Sequence, residues 1–202
     1  HTAVHAMKLG AEDYILKPLL EDKLLPALKK IRMADEAFAK VIYERKSAAF
    51  RELDRYIRLV APTDMTVLIL GNTGTGKEHL AGKIHKRSLR ANKPYITVDC
   101  GSLSRELAAS AFFGHVKGAF TGATDEKPGY FQEARGGTLF LDEVENLPVE
   151  IQQMLLRAME ERRYRPVGGR QDKRMDVRVI AATNEDLQGA VAEKRFRKDL
   201  LY

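Results

Sequence analysis

The sequence has one cysteine, no apolar run long enough to span a bilayer, and no signal peptide at its start. A single cysteine, Cys100, excludes an intrachain disulfide framework and is typical of the reducing cytoplasm, where we place the protein, without a membrane partner. Of the 202 residues, 44% are hydrophobic, which is enough for a globular core. The net charge of +6 suits a polyanionic partner such as a nucleotide or nucleic acid, although a solvated basic surface is the simpler explanation.

A short apolar run and the glycine-rich turn after it organise the chain. The run Val67–Leu70 predicts a short buried strand. The next residues are Gly71, Asn72, Thr73, Gly74, Thr75, Gly76, Lys77 and Glu78. Their spacing of glycine, four residues, glycine and lysine is typical of a phosphate-binding loop, in which the backbone N–H groups point at the anion and Lys77 reaches the outer phosphates. Glu78 replaces the usual Ser or Thr ligand of magnesium, so the metal must be held mainly from elsewhere.

Two carboxylates, Asp142 and Glu143, come directly after a second apolar strand. Open α/β sheets bind ligands at the carboxyl ends of their strands, and successive strand residues point to opposite faces. We therefore expect Asp142 to hold Mg²⁺ and Glu143 to activate the attacking water. Taken alone, the pair would be better explained as an acidic turn before the helix predicted at Val149–Glu161, and the phosphate-binding loop favours the metal site instead. Asn184 follows a further strand, predicted at Val177–Ala181, where it can sense the terminal phosphate.

A loop of small residues surrounds one aromatic ring. It consists of Gly118, Ala119, Phe120, Thr121, Gly122 and Ala123. Phe120 is poorly placed there to fill a core, which predicts an exposed loop tip that contacts a partner; the alternative is a hairpin that packs Phe120 inward. The basic segment 161–176 can contact nucleic acid, and a solvated loop is its alternative.

The chain starts inside a helical pattern and stops without a capping residue, so we expect a piece of a longer protein. Its first part, AVHAMKLGAEDYILKP, resembles the closing third of a response-regulator receiver domain. In that resemblance Lys17 is the lysine that contacts the phosphoryl group, and Tyr14 is the aromatic switch. Without it, Lys17 would be a surface lysine before a turn. We expect the receiver part at residues 1–33 and a linker helix at 34–48.

Six motifs then follow one another in order: GNTGTGKE, FFGHVKGAFTGA, GGTLFLDE, LLRAMEERRYRPVGG, ATN and RFRKDLLY. Together they resemble the central ATPase domain of NtrC-type activators of sigma-54 RNA polymerase, a branch of the AAA+ motors. The resemblance implies an α/β fold: a three-layer αβα P-loop core with a parallel sheet over residues 49–202, preceded by part of a flavodoxin-like receiver domain.

The same resemblance implies a mechanism. ATP, with Mg²⁺, would be hydrolysed at the subunit interfaces of a hexameric or heptameric ring, dimeric when inactive, to remodel the closed promoter complex. Residues 71–78 would bind ATP, Asp142 the metal, and Glu143 the attacking water. Asn184 would be the sensor and Arg197 a finger acting on the neighbouring subunit. The loop 118–123, with Phe120 and Thr121 foremost, would contact sigma-54.

The implied partners are the sigma-54 RNA polymerase holoenzyme, further copies of the chain, promoter-upstream DNA and a sensor histidine kinase. The DNA contact would need a C-terminal domain and the kinase contact the first part of the receiver, both outside this sequence. Asp99 departs from the pattern because the family usually has an asparagine there that restrains the catalytic glutamate. The alternative function is a nucleotide-gated assembly or binding protein with little hydrolysis. A P-loop motor of another kind would leave the loop 118–123 unexplained.

Overall fold

The computed structural model describes residues 48–201. The receiver-like segment with Tyr14 and Lys17, and the predicted linker helix up to residue 47, lie outside the described residues. The chain divides into two compact units, His1–Leu53 and Asp54–Tyr202, and the core and site below belong to the second. None of the helices in the described part has the length and apolar character needed to cross a membrane.

The order of helices and strands is that of an α/β protein. The helices are α1 (Ala48–Val60), α2 (Lys77–Lys86), α3 (Arg105–Phe113), α4 (Tyr130–Glu133), α5 (Val149–Glu161), α6 (Leu187–Ala192) and α7 (Lys198–Leu201). The strands are β1 (Val67–Leu70), β2 (Tyr95–Asp99), β3 (Thr138–Asp142), β4 (Arg163–Tyr164), β5 (Lys173–Arg174) and β6 (Arg178–Thr183). Short 3₁₀ helices cover Cys100–Ser102 and Val144–Asn146.

Four of these strands form one parallel sheet in the order β1-β6-β3-β2, while β4 and β5 form a separate antiparallel hairpin. Because the four strands are parallel, their carboxyl ends lie at the same edge, where the loops after them meet. The predicted α/β class with a parallel sheet is thus confirmed.

Helices cover both faces of the sheet, as alternate residues of β3 show. Leu139 and Leu141 belong to one buried cluster, which includes residues of α3 and α5, whereas Phe140 belongs to another, with residues of α1 and α2. A strand that is buried on both faces reads as a continuous apolar run, which explains why β3 was recognisable in the sequence.

The prediction of a buried β1 is correct only for Ile69. Leu68 is 39% exposed and Leu70 is 68% exposed. The reason is the position of β1 at the end of the strand order, where within residues 48–201 it pairs with β6 alone. An apolar run in a sequence reports that a segment is a strand, but not how many neighbours it has.

The amino-terminal end of the sheet holds buried polar side chains that are hydrogen-bonded. The guanidinium of Arg178 donates to the carbonyl oxygens of Val60 (2.9 Å), Ala61 (2.6 Å) and Met65 (3.2 Å), at and just after the end of α1. The carbonyls of Val60 and Ala61 lie at the carboxyl end of α1, where the negative end of the helix dipole suits a cation. Burial lowers the pKa of Arg178, and the negative charge of Asp64 opposes this shift.

A second buried pair lies at the same end of the sheet. His85 Nδ1 and Thr138 Oγ1 are 3.0 Å apart, and both residues are buried. Burial, assisted by the positive charges of Arg178 and Lys86, lowers the pKa of His85. His85 therefore packs as a buried residue of α2 against the first residue of β3.

Candidate nucleotide-binding site

The loop after β1 has the geometry that a phosphate cradle requires. Gly74 and Gly76 have φ angles of 78° and 88°, a left-handed conformation that a β-carbon would disfavour. Helix α2 begins directly after Gly76 at Lys77. The N–H of Gly71 donates to the carbonyl of Thr183 at 3.2 Å, which fixes the start of the loop to the end of β6.

Lys77 folds back over this loop. Its ammonium donates to the carbonyl oxygens of Gly71 (2.9 Å) and Asn72 (3.3 Å). The hydroxyl of Thr75 donates to the carbonyl of Asn72 at 2.8 Å, which closes the turn. Because an ammonium is a mobile point charge on a long stem, Lys77 can exchange these neutral acceptors for the more strongly charged oxygens of a phosphate.

Asn184 reaches the same loop from the neighbouring strand. Its side-chain amide donates to the hydroxyl of Thr73 at 3.0 Å, across 111 residues of sequence. The polar residue after the end of β6 therefore contacts the glycine-rich loop, and its role toward a phosphate stays a prediction.

Asp142 and Glu143 lie at this edge of the sheet, but they point apart for a different reason from the one we expected. Strand β3 ends at Asp142, and Glu143 has left-handed angles of φ 51° and ψ 49°. The carboxylate of Asp142 accepts a hydrogen bond from the N–H of Glu143 at 3.0 Å. Left-handed backbone is strained for a residue other than glycine and concentrates at functional sites. A sharp turn, rather than strand alternation, separates the two side chains.

Charges of both signs surround the site. Burial, and then the negative charges of Glu78 and Asp142, raises the pKa of Tyr95, so the carboxylates of Glu78 and Asp142 both act on its hydroxyl. Carboxylate oxygens are the ligands that Mg²⁺ prefers, with phosphate oxygens and water completing the shell. The ammonium of Lys77 and the amino-terminal end of α2 offer the complementary positive side.

Asp99 and Cys100 lie beside the acidic pair, at the end of β2. The carboxylate of Asp99 accepts from the N–H of Gly101 at 2.9 Å and caps the 3₁₀ helix that follows. Cys100 is 1% exposed. Burial, and then the negative charge of Asp99 and its neighbours, raises the pKa of its thiol, so Cys100 is a packing residue.

Phe120 is neither a fully exposed tip nor a core residue. It is 39% exposed, and its ring meets the edge of the His115 ring with centroids 5.0 Å apart. His115 is buried, and its Nδ1 lies 2.7 Å from the hydroxyl of Ser110. The base of the loop is closed by the bridge between His115 and Lys127. The loop 118–123 thus packs on the buried His115 through the ring of Phe120.

The basic segment packs against this loop. A β-carbon added at Gly168 would lie 2.8 Å from Cβ of Ala119, so glycine is required at this contact. Part of the segment's charge is neutralised by neighbours: Arg165 pairs with Asp172 at 2.7 Å, and Lys173 pairs with Glu126 at 3.3 Å. The basic segment therefore contains the short hairpin β4–β5, and its arginines are exposed.

Arg197 lies on a different segment. Its Nε donates to Asp199 at 2.9 Å, and this pairing raises the pKa of Arg197. Within the described residues, no hydrogen bond joins Arg197 to the loop 71–78. Its backbone is fixed by the buried Gln152, which accepts from the N–H of Arg197 (2.8 Å) and donates to the carbonyls of Leu147 (2.8 Å) and Arg195 (2.9 Å).

Our sequence analysis missed four residues that shape the site or support it: Asn146, Gln152, His115 and Arg178. Each is a polar residue whose role depends on a contact, and only His115 lies within one of the motifs quoted above, which gave it no role. Only Asn146 had a signal in the sequence: it lies three residues after Glu143, and residues with that spacing are neighbours on a single helical turn.

Comparison with known proteins decides the family. Residues 43–202 match the model of the sigma-54 interaction domain. The chain belongs to the sigma-54 activator family. Among curated relatives of this family, it is 46% identical over 210 residues to the transcriptional regulatory protein ZraR of Escherichia coli K12, covering 100% of this chain and 48% of ZraR. It is 43% identical over 205 residues to GlrR of the same organism, covering 99% of this chain and 46% of GlrR.

Solved structures of sigma-54 activators agree. The chain resembles NtrX from Brucella abortus with a TM-score of 0.72 and 37% identity, covering 99% of this chain and 46% of NtrX. NtrX has also been solved in complex with ADP and with ATP. The P-loop NTPase domain of a sigma-54 activator from E. coli, at 22% identity and a TM-score of 0.54, shares the fold. The chain spans about half the length of the curated relatives it matches.

Proposed function

We propose that this chain is the ATP-hydrolysing part of a transcription activator that acts on the sigma-54 RNA polymerase holoenzyme. One observation supports this most strongly. The glycine-rich loop after β1, the acidic pair after β3 and Asn184 after β6 meet at one edge of a single parallel sheet. The complex of the related NtrX with ATP supports the same ligand here.

In this proposal each side chain at that edge has its own task. Residues 71–76 and the start of α2 bind the phosphates, and Lys77 turns from the loop carbonyls to the outer phosphates. Asp142 holds Mg²⁺, which when bound would neutralise charge on the phosphates. Glu143 accepts a proton from the attacking water, and Asn184 orients the terminal phosphate.

The proposed ring supplies what a single chain lacks. Arg197 would act on the nucleotide of the neighbouring subunit, after exchanging Asp199 for a phosphate. An arginine finger of this kind contributes about 1000-fold or more in rate. Because the finger comes from a neighbour, we expect hydrolysis to depend on assembly into a hexamer or heptamer.

The loop 118–123 is the proposed contact with sigma-54. Its support is its exposure: Thr121 and Gly122 are exposed and Phe120 is partly exposed, although the loop base is packed on His115 and Gly168. A loop with a fixed base and an open tip can transmit motion from the core to a bound partner.

The substitution Glu143→Gln tests the enzymatic part. It keeps the shape of the side chain and removes the base, so magnesium-dependent turnover should fall by about 100-fold or more while ATP affinity stays within about threefold. Glu106→Gln, at an exposed position on α3, is the matched control. Turnover that survives Glu143→Gln would contradict the assignment. Tight ATP binding by the unaltered protein with only background turnover would instead support the nucleotide-gated binding protein.

The substitution Thr121→Ala tests the partner. Capture of sigma-54 in the presence of an ATP transition-state analogue should be lost, whereas ATP turnover should be retained. Thr124→Ala, just outside the loop, should leave capture intact. Equal capture by the two variants would remove the loop from the proposed interface.

A further inference from the structure

Three polar side chains converge over Gly101. A β-carbon added at this glycine would lie 2.7 Å from Oε2 of Glu143, 3.1 Å from Nδ2 of Asn146 and 3.3 Å from Oδ1 of Asp99. One side-chain amide thus lies beside two carboxylates, and the absence of a β-carbon at residue 101 leaves the space in which they meet.

The amide is bonded to one of these two carboxylates. Asn146 Nδ2 donates to Glu143 Oε2 at 2.9 Å. Asp99 is occupied by the N–H of Gly101, and an ionised carboxylate has no proton to donate to Glu143. Within residues 48–201, Asn146 is the only side chain that hydrogen-bonds the carboxylate of Glu143.

The local backbone fixes this contact. Glu143 turns the chain with its left-handed angles, and the N–H of Asn146 donates to the carbonyl of Glu143 at 3.0 Å in the 3₁₀ turn that follows. The two side chains therefore start from adjacent positions on one tight turn, and little conformational freedom is lost when they bond.

The contact keeps the carboxylate of Glu143 close to Gly101. Gly101 follows β2, and β2 lies at the opposite end of the strand order from β1, which carries the cradle. A carboxylate bonded above Gly101 must leave Asn146 before it can face a water positioned near the cradle.

We propose that Asn146 is a positioning residue that restrains Glu143 and so slows hydrolysis; this rests on the function proposed above. A hydrogen bond to a charged group at an exposed position contributes modestly, so its removal should release Glu143 with an effect of about three- to tenfold.

The test compares three substitutions in the complete protein. Asn146→Ala removes the donor, and Gly101→Ala places a methyl group where the carboxylate of Glu143 now lies. Both should raise kcat for ATP about three- to tenfold and leave KM unchanged, because neither touches the phosphate cradle. Asn92→Ala, an exposed asparagine at the other end of the sheet, should leave kcat unchanged. An unchanged or lower kcat in Asn146→Ala would overturn the proposed restraint.

A second readout does not require hydrolysis. The side-chain amide resonances of Asn146, identified by their loss in Asn146→Ala, should shift in Glu143→Ala without nucleotide, while those of Asn92 should not. Resonances of Asn146 that do not move would overturn the contact. If the unaltered protein hydrolyses no ATP, the proposed function is wrong, and the resonances still show whether the contact exists. If the unaltered protein hydrolyses ATP and Asn146→Ala has the same kcat, only the proposed restraint is wrong.

Discussion

The two ends of the central sheet both carry polar side chains, but they use them differently. At the amino-terminal end, three polar side chains are buried: Arg178 is bonded to backbone carbonyls, and Thr138 and His85 are bonded to each other. At the carboxyl end, Lys77 and Glu143 are partly exposed and bonded to neighbours that they can exchange for others. The comparison indicates that one end stabilises the fold and the other keeps its contacts replaceable for a ligand.

The largest effect on stability should come from the buried end. Arg178→Met would remove one donor from each of three carbonyl oxygens, of which, within the described residues, only that of Val60 keeps bonds from Thr63. The free energy of unfolding should fall by roughly 3 kcal/mol, measured by chemical denaturation. ATP affinity of the folded variant should change little. Arg170→Met, at an exposed position, is the matched control. A loss as small as that of the control would show that the buried end contributes little to stability.

The opposite result is expected at the ligand end. Lys77→Ala should weaken ATP binding by about 2 kcal/mol, roughly 30-fold, because a charge-assisted bond to phosphate is lost. Its free energy of unfolding should stay within about 0.5 kcal/mol, since the ammonium now meets only carbonyls of a partly exposed loop. Lys86→Ala, at the far end of the same helix, should change neither quantity. A large decrease in the free energy of unfolding of Lys77→Ala would show that the ligand-binding end of the sheet also stabilises the fold.

The same two regions differ in how well they could be predicted from the sequence. The cradle was predictable because its geometry depends on glycine positions that lie close together in the chain. The role of Arg178 was not, because its acceptor at Val60 lies 118 residues away and nothing local indicates that an arginine will be buried. The same limit applies to Asn146 and to the exposure of β1, which depend on neighbours in space. The receiver-like start of the chain stays a prediction.

A smaller effect is expected from the second buried pair. Thr138→Val keeps the shape of the side chain and removes the hydroxyl facing His85, so the free energy of unfolding should fall by about 1–2 kcal/mol. Thr97→Val, on the neighbouring strand β2 and exposed, is the control. Equal values for the two variants would mean that the imidazole finds another partner.

The smallest effect should appear as a dependence on pH. The pKa of His85 is lower in the folded than in the unfolded chain, so below about pH 6.5 the unfolded chain binds more protons. Stability should therefore decrease as the pH falls through this range. His85→Gln should reduce the slope of unfolding free energy against pH. A slope that is unchanged in this variant would assign the effect to other groups.

The buried side chain of Gln152 has a mechanical consequence. Gln152 lies in the first turn of α5, shortly after the turn that carries the acidic pair. Its side-chain amide bonds the carbonyl of Leu147 before the helix and the backbone of Arg195 and Arg197, on either side of Phe196. Any tilt of that helix must therefore carry the backbone of Arg197 with it. In the ring proposed above, this one uncharged side chain would couple movement near the acidic pair to the position of Arg197 relative to the next subunit.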